Sequence, residues 1–322
     1  MYAIELTPER PVPALTDDAV AAEAAGFDAV FAAHHYNNRD QFMALSSMAQ
    51  ATESIAVGPG IANPYETHPV TLASRVATLD EVSDGRAIFG VGPGDASTLR
   101  NLGYDHDRPL RRVLETFEVA RRLWRGERVD HDGTFEAHDA GLNYEVGEIP
   151  VYVGAQGPHM TRMGAKRADG VLYNGAHPKD LEWAEAQVEK GVEAGDGDRS
   201  AVDLAAYASV SVAEEESAAR DAARMPVAFI TAGAPGPVLS RHGLDQELAD
   251  AIGQSISAGE FREAGGQVSD AMIDAFCIAG TPETVAERTA ALLEYADSVV
   301  FASPLGPDVS EAIDLLAAAR QR

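Results

Sequence analysis

Short apolar runs alternate with longer segments of helical period along nearly the whole chain, which predicts repeated βα units around a parallel sheet. Strands are expected over 2–6, 27–32, 54–60 and 86–91, with helices over 17–25, 41–52 and 69–82 between them. Gly26 closes the first helix, and Asp84-Gly85 makes the turn into the fourth strand. A long amphipathic helix follows over 108–125, and then an insertion over 127–147 in which Asp132-Gly133 marks a hairpin turn. The alternation resumes with strands over 149–153, 170–173, 204–212 and 298–302, and with helices starting near Pro158 and Pro178. A mostly helical insertion occupies 218–275, and a last helix 308–320. Eight strands without an evident polar edge strand fit a closed barrel better than an open sheet. No linker separates two domains, so residues 1–322 are expected to form one TIM-barrel domain.

Charge narrows the partners. The chain holds 51 acidic and 25 basic residues, a formal net charge of −26, and only Lys166, Lys179 and Lys190 are lysines. Such a surface repels nucleic acid and anionic membrane. The acids are scattered, which points to solubility rather than a metal trap or a tail, and acid excess with little lysine suits molar salt, so a halophilic source is expected. Cys277 is the sole cysteine, excluding an intrachain disulfide or a thiolate metal cluster, and the best role for it is a small core residue. The start of the chain lacks a basic region followed by a long apolar run, and no later segment approaches a membrane span, so a cytoplasmic location is expected.

Candidate chemistry gathers at the predicted strand ends, where parallel α/β proteins bind ligands. Glu5 lies in the first strand and is either an acid at the barrel mouth or half of a buried ion pair. The run Val57-Gly58-Pro59-Gly60-Ile61-Ala62-Asn63-Pro64-Tyr65 cannot continue as plain strand or helix. Asp95 follows Gly92-Pro93-Gly94 and reads, on pattern alone, as a helix N-cap. His34-His35-Tyr36-Asn37-Asn38 ends the second strand; adjacent histidines on a strand face opposite ways, which argues against joint metal binding but leaves one able to touch a ligand. Gly154-Ala155-Gln156-Gly157-Pro158 joins a strand to a helix whose first amides could hold an anion. Neither a dinucleotide fingerprint nor a phosphate loop is present.

Taken in order, the segments 58–65, Gly85-Arg86-Ala87-Ile88 with Gly92-Pro93-Gly94-Asp95, 154–158, Ile278-Ala279-Gly280 and 303–308 closely resemble the F420-dependent methylenetetrahydromethanopterin reductases of the bacterial luciferase-like superfamily. The resemblance covers essentially the whole chain. It implies a luciferase-like barrel with insertions, coenzyme F420 as cofactor, with FMN as the alternative, and hydride transfer to the methylene carbon of a tetrahydromethanopterin or tetrahydrofolate. The alternative activity is that of a luciferase-like oxidoreductase or monooxygenase on another small substrate. The resemblance also implies a cis bond between Gly60 and Ile61, Glu5 as proton donor and Asp95 as its assistant. His35, Gly60, Ile61, Ala62, Asn63, Ala155, Gln156, Gly157 and Asn174 fall where the family holds the coenzyme or substrate. His34 stands where the family pattern has aspartate, which removes a negative charge from the mouth. A dimer or tetramer and no resident metal complete the expectation.

Overall fold

The computed structural model describes residues 1–321 as two compact units. The first comprises Ala3–Tyr173 and Ala186–Ala205 with Met1; the second comprises Asn174–Glu185 and Ala206–Arg322 with Tyr2, the last residue lying outside the described range. The divisions fall at the end of one predicted strand, inside a helix and inside another predicted strand rather than at a linker.

In the first unit, β1 (Tyr2–Glu5), β2 (Ala29–Ala32) and β3 (Ala56–Pro59) run parallel and in sequence order, with Glu5 opposite Phe31 and Phe31 opposite Gly58. Bridges Val57 to Ala87 and Ala62 to Val91 carry the order on to β4 (Phe89–Val91). The hairpin β5 (Val129–Asp132) and β6 (Glu136–Ala140) stands apart from this sheet as an antiparallel pair. The ladder continues from β4 to β7 (Val151–Ala155) and from there to β8 (Gly170–Asn174). The helices Val12–Ala24, Gln41–Ala51, Pro69–Val82, Pro109–Trp124 and Pro158–Arg167 connect these strands. Strands buried on both faces explain the continuous apolar runs: all four residues of β2 are buried.

Two devices hold this unit's loops. The Arg86 guanidinium donates to the carbonyl oxygens of Ser83, Ile55, Ala49 and Thr52, tying the end of the helix Gln41–Ala51 to the entry of β3. Glu115 fixes the hairpin, accepting from the Thr134 amide and hydroxyl and from Arg111 Nε at 2.6–2.7 Å. Burial works to raise its pKa, but the bonds from Thr134, Arg111 and His131 outweigh that and bring it down to about 2.

In the second unit, β9 (Asp203–Val212) pairs in parallel with β10 (Ile278–Gly280) and also neighbours β11 (Ser298–Leu305). Between β9 and β10 run the helices Glu216–Gly233, Gly236–His242, Gln246–Ser257, Phe261–Gly266 and Asp270–Phe276, which bury Val227, Ile252, Met272 and Ile273 in a common cluster. Helix therefore occupies most of the stretch between β9 and β10. Cys277 sits fully buried in the same cluster, its thiol pushed up to about 12 by burial. No helix among the described residues is long and apolar enough to cross a membrane.

The boundaries shift where local signals were silent. The first helix starts at Val12, earlier than its periodicity indicates, because Pro13 fits the first turn. The short helix Ala96–Asn101 is not marked by any apolar period. The hairpin forms at the expected place but turns through Gly133, Thr134 and Phe135, Gly133 N–H donating to Phe135 O at 3.1 Å.

Candidate active site

Because the strands of the first unit are parallel, the residues that end β1, β2, β3, β4 and β7 all lie toward one end of that sheet. This brings together Glu5, His34, His35, Gly60, Ile61, Ala62, Asn63, Asp95, Ala155, Gln156 and Gly157. Asn174 ends β8, is exposed, and belongs to the second unit.

Glu5 is 3% exposed, and the Thr7 hydroxyl donates to its Oε1 at 2.6 Å. A carboxyl so enclosed at a strand end is oriented rather than solvated. The peptide bond between Gly60 and Ile61 is cis, as the resemblance implies. Its surroundings are defined by what is missing from the neighbouring strands. A Cβ on Gly92 would lie 3.0 Å from Ile61 Cδ1, and one on Gly154 3.0 Å from Ile61 Cγ2, so the Ile61 side chain occupies room that only glycine leaves. The segment is secured by Gly60 N–H to Ala32 O at 2.8 Å and Ala62 N–H to Gly90 O at 2.9 Å. Gln41, almost fully buried, reaches in from its helix and donates through Nε2 to Ala32 O at 2.6 Å and to Ile61 O at 3.4 Å.

Asn63 is 6% exposed, and its side chain is engaged within the turn. Its Oδ1 accepts from the Tyr65 and Glu66 amides, while its Nδ2 donates to Glu66 Oε1 at 2.6 Å. The other Glu66 oxygen meets His34 Nε2 at 3.0 Å. His34 thus has a carboxylate partner, supplied by the turn that follows β3. His35 is exposed, yet its pKa is lowered, first by desolvation and next by His34, with Glu9 and Asp95 acting the other way. With its pKa below the ordinary 6.5, the imidazole stays neutral near pH 7. Asp95 caps the helix Ala96–Asn101 by accepting from Thr98 N–H at 2.8 Å, as its pattern predicts. Gly157 begins the helix Pro158–Arg167 without a side-chain cap, and a Cβ there would meet nothing within 4 Å. Gln41, Thr7 and Glu66 escaped the sequence reading. Each acts on a residue distant in the chain or bent back by a turn, and none lies on a glycine-rich motif.

Parallel βα units with a glycine-lined shelf at the strand ends define a luciferase-like barrel, and the model of the luciferase-like monooxygenase family matches residues 3–298. The chain belongs to that family and has its (β/α)8 fold. Within it, the chain belongs with the 5,10-methylenetetrahydromethanopterin reductases. It is 40% identical to that of Archaeoglobus fulgidus, covering 98% of this chain and 97% of the relative. It is likewise 40% identical to that of Methanolobus tindarius, covering 98% of each. The solved coenzyme F420-dependent tetrahydromethanopterin reductase of Methanopyrus kandleri superposes with a TM-score of 0.93 at 37% identity, covering 98% of this chain and 96% of that one. An F420-dependent secondary alcohol dehydrogenase shares the fold at a TM-score of 0.82 and 21% identity.

Proposed function

We propose that this chain is an F420-dependent oxidoreductase that reduces the methylene group of a methylene-tetrahydropterin to methyl. The observation that carries the reading is the buried Glu5 carboxyl, turned by Thr7, at the same sheet end as the Gly60–Asn63 shelf. The relatives named above support the cofactor and substrate class. The strand ends fit a flat ring system: Gly92, Gly154 and Gly157 bring no side chain, and Ile61 fills the gap between the first two. The Gly60–Asn63 backbone, His35 and the segment Ala155–Gly157 would hold the coenzyme. When bound, the deazaflavin supplies hydride.

The remaining chemistry falls to the chain. Glu5 delivers a proton to a ring nitrogen of the substrate, so that the five-membered ring opens and the methylene carbon becomes electrophilic. Asp95 supports the positive charge that develops. His35, held neutral, offers a hydrogen bond rather than a charge. The low exposure of Glu5 keeps bulk water from competing for the proton. A cytoplasmic homodimer or homotetramer accompanies this reading, and size-exclusion chromatography checks the assembly.

The direct test follows absorbance of the oxidised coenzyme with purified protein, reduced F420 and either methylene-tetrahydromethanopterin or methylene-tetrahydrofolate. Turnover with one carrier supports the reading and names the substrate. Turnover with neither, together with tight FMN binding, refutes it. Glu5→Gln is expected to keep coenzyme affinity while kcat falls about 10²- to 10⁴-fold, the usual range for a lost general acid. An unchanged rate removes Glu5 from the role.

A further inference from the structure

The second unit holds a cluster of bases that the chemistry above does not use. Arg288, on the helix Pro282–Leu292, is half-buried, and its Nη2 donates to main-chain oxygens, Ala176 O at 3.2 Å and Asp274 O at 2.7 Å. Among the described residues no carboxylate lies within ion-pair distance of it. A guanidinium drawn partly out of water ordinarily has a carboxylate or phosphate partner, because carbonyl oxygens offset its desolvation without neutralising its charge. Burial accordingly lowers the Arg288 pKa, against the pull of Asp274 and Cys277.

The nearby acids are already engaged. Asp180 is 3% exposed and both its oxygens are used, Oδ1 by Arg241 Nη1 at 2.5 Å and Oδ2 by His242 Nε2 at 2.8 Å. Asp274 Oδ1 accepts from Arg220 at 2.9 Å. His177 packs edge-on against His242 with ring centroids 5.0 Å apart, and its Nδ1 accepts the Lys179 amide at 3.1 Å, which directs Nε2 outward from that cap. Its pKa is brought down to about 4 by desolvation, then by His242 and Arg288, with Lys179 adding to the effect and Asp180 opposing it. Lys179 is one of three lysines in a chain of net charge −26. A local surplus of positive charge inside so acidic a molecule runs against its general field and is the requirement for holding an anion there.

We propose that Arg288, His177 and Lys179 form an anion-binding subsite, beyond the end of β8, that takes a phosphate or carboxylate group. Arginine supplies the planar donor pair, and the imidazole accepts a proton as the anion arrives.

Inorganic phosphate is the probe, titrated calorimetrically into the full chain at an ionic strength held constant with chloride. Wild type is expected to bind, with uptake of protons by the protein reporting a rise in the His177 titration midpoint. Arg288→Gln should weaken phosphate about tenfold or more and Arg288→Lys about threefold or less, as for loss and retention of a charge-assisted bond. His177→Asn, which keeps the helix cap, should weaken it about threefold and abolish the proton coupling. Should Arg288→Gln fail to fold, His177→Asn decides. Binding no stronger than the chloride blank, or unchanged in these variants, overturns the proposal. The titration is independent of the activity proposed above. The source of the anion follows from inhibition of turnover by phosphate: competition with the pterin assigns it to the substrate's tail and competition with F420 to the coenzyme's tail. Binding without inhibition assigns it to free phosphate, and each of these three outcomes supports the subsite.

Discussion

At the level of single residues, the burial of a titratable group decides its use more than its place in the sequence does. Glu5 and Asp95 are both carboxylates at strand ends, yet one is 3% exposed and the other is an exposed helix cap. Sequence pattern read Asp95 correctly as a cap and left Glu5 between two roles, because no local signal tells an inward from an outward side chain on a strand buried on both faces. His177 offers a check of the same kind. Its folded pKa near 4 lies below the ordinary 6.5, so the unfolded chain takes up the proton first as pH falls. The stability tied to this neutral imidazole is fully present above about 6.5 and is lost as pH drops toward 4. The fall in melting temperature between pH 7.5 and pH 5 is expected to be smaller in His177→Asn than in wild type. Equal falls contradict the shifted pKa. Gln41 shows the limit of residue-level reading, since its two carbonyl acceptors lie 9 and 20 positions away.

At the level of elements, the site is a product of strand ends and the glycines that let them approach. The alternation of apolar runs and helical periods made β1 to β4 and β7 to β9 legible, since each strand carries its own pattern. The three-residue β10 and the six-residue helix after Asp95 are too short to show a period and emerge only from their partners. The shelf yields an element-scale prediction. Gly154→Ala places a methyl 3.0 Å from Ile61 Cγ2 and should displace that side chain, costing about 1–3 kcal/mol of stability and weakening F420 binding about tenfold. Gly157→Ala adds a methyl where nothing lies within 4 Å, and its melting temperature should match wild type. Fluorescence titration of the coenzyme and thermal denaturation measure both. Equal behaviour of the two variants would refute the role given to Ile61.

At the level of the whole molecule, the excess of 26 negative charges sets the conditions under which the fold persists. Self-repulsion of this size is screened by salt, with a Debye length of about 3 Å at 1 M and about 10 Å at 0.1 M. Dilution from molar salt into low salt is expected to lower the melting temperature and the activity together, followed by circular dichroism and the F420 assay. Full activity without added salt would remove the halophilic reading. The amino-acid sequence by itself determined the βα alternation, the helical insertions, the acidic surface and the family, because each is written in local periodicity, composition or contiguous motifs. Only the tertiary structure decided that Glu66 answers His34, that Gln41 braces the shelf, that Ile61 occupies the room left by two glycines, and that the Arg288 guanidinium bonds to main-chain oxygens. These are contacts between residues far apart in the chain, and what fixes them is the register and packing of strands, which no single segment encodes.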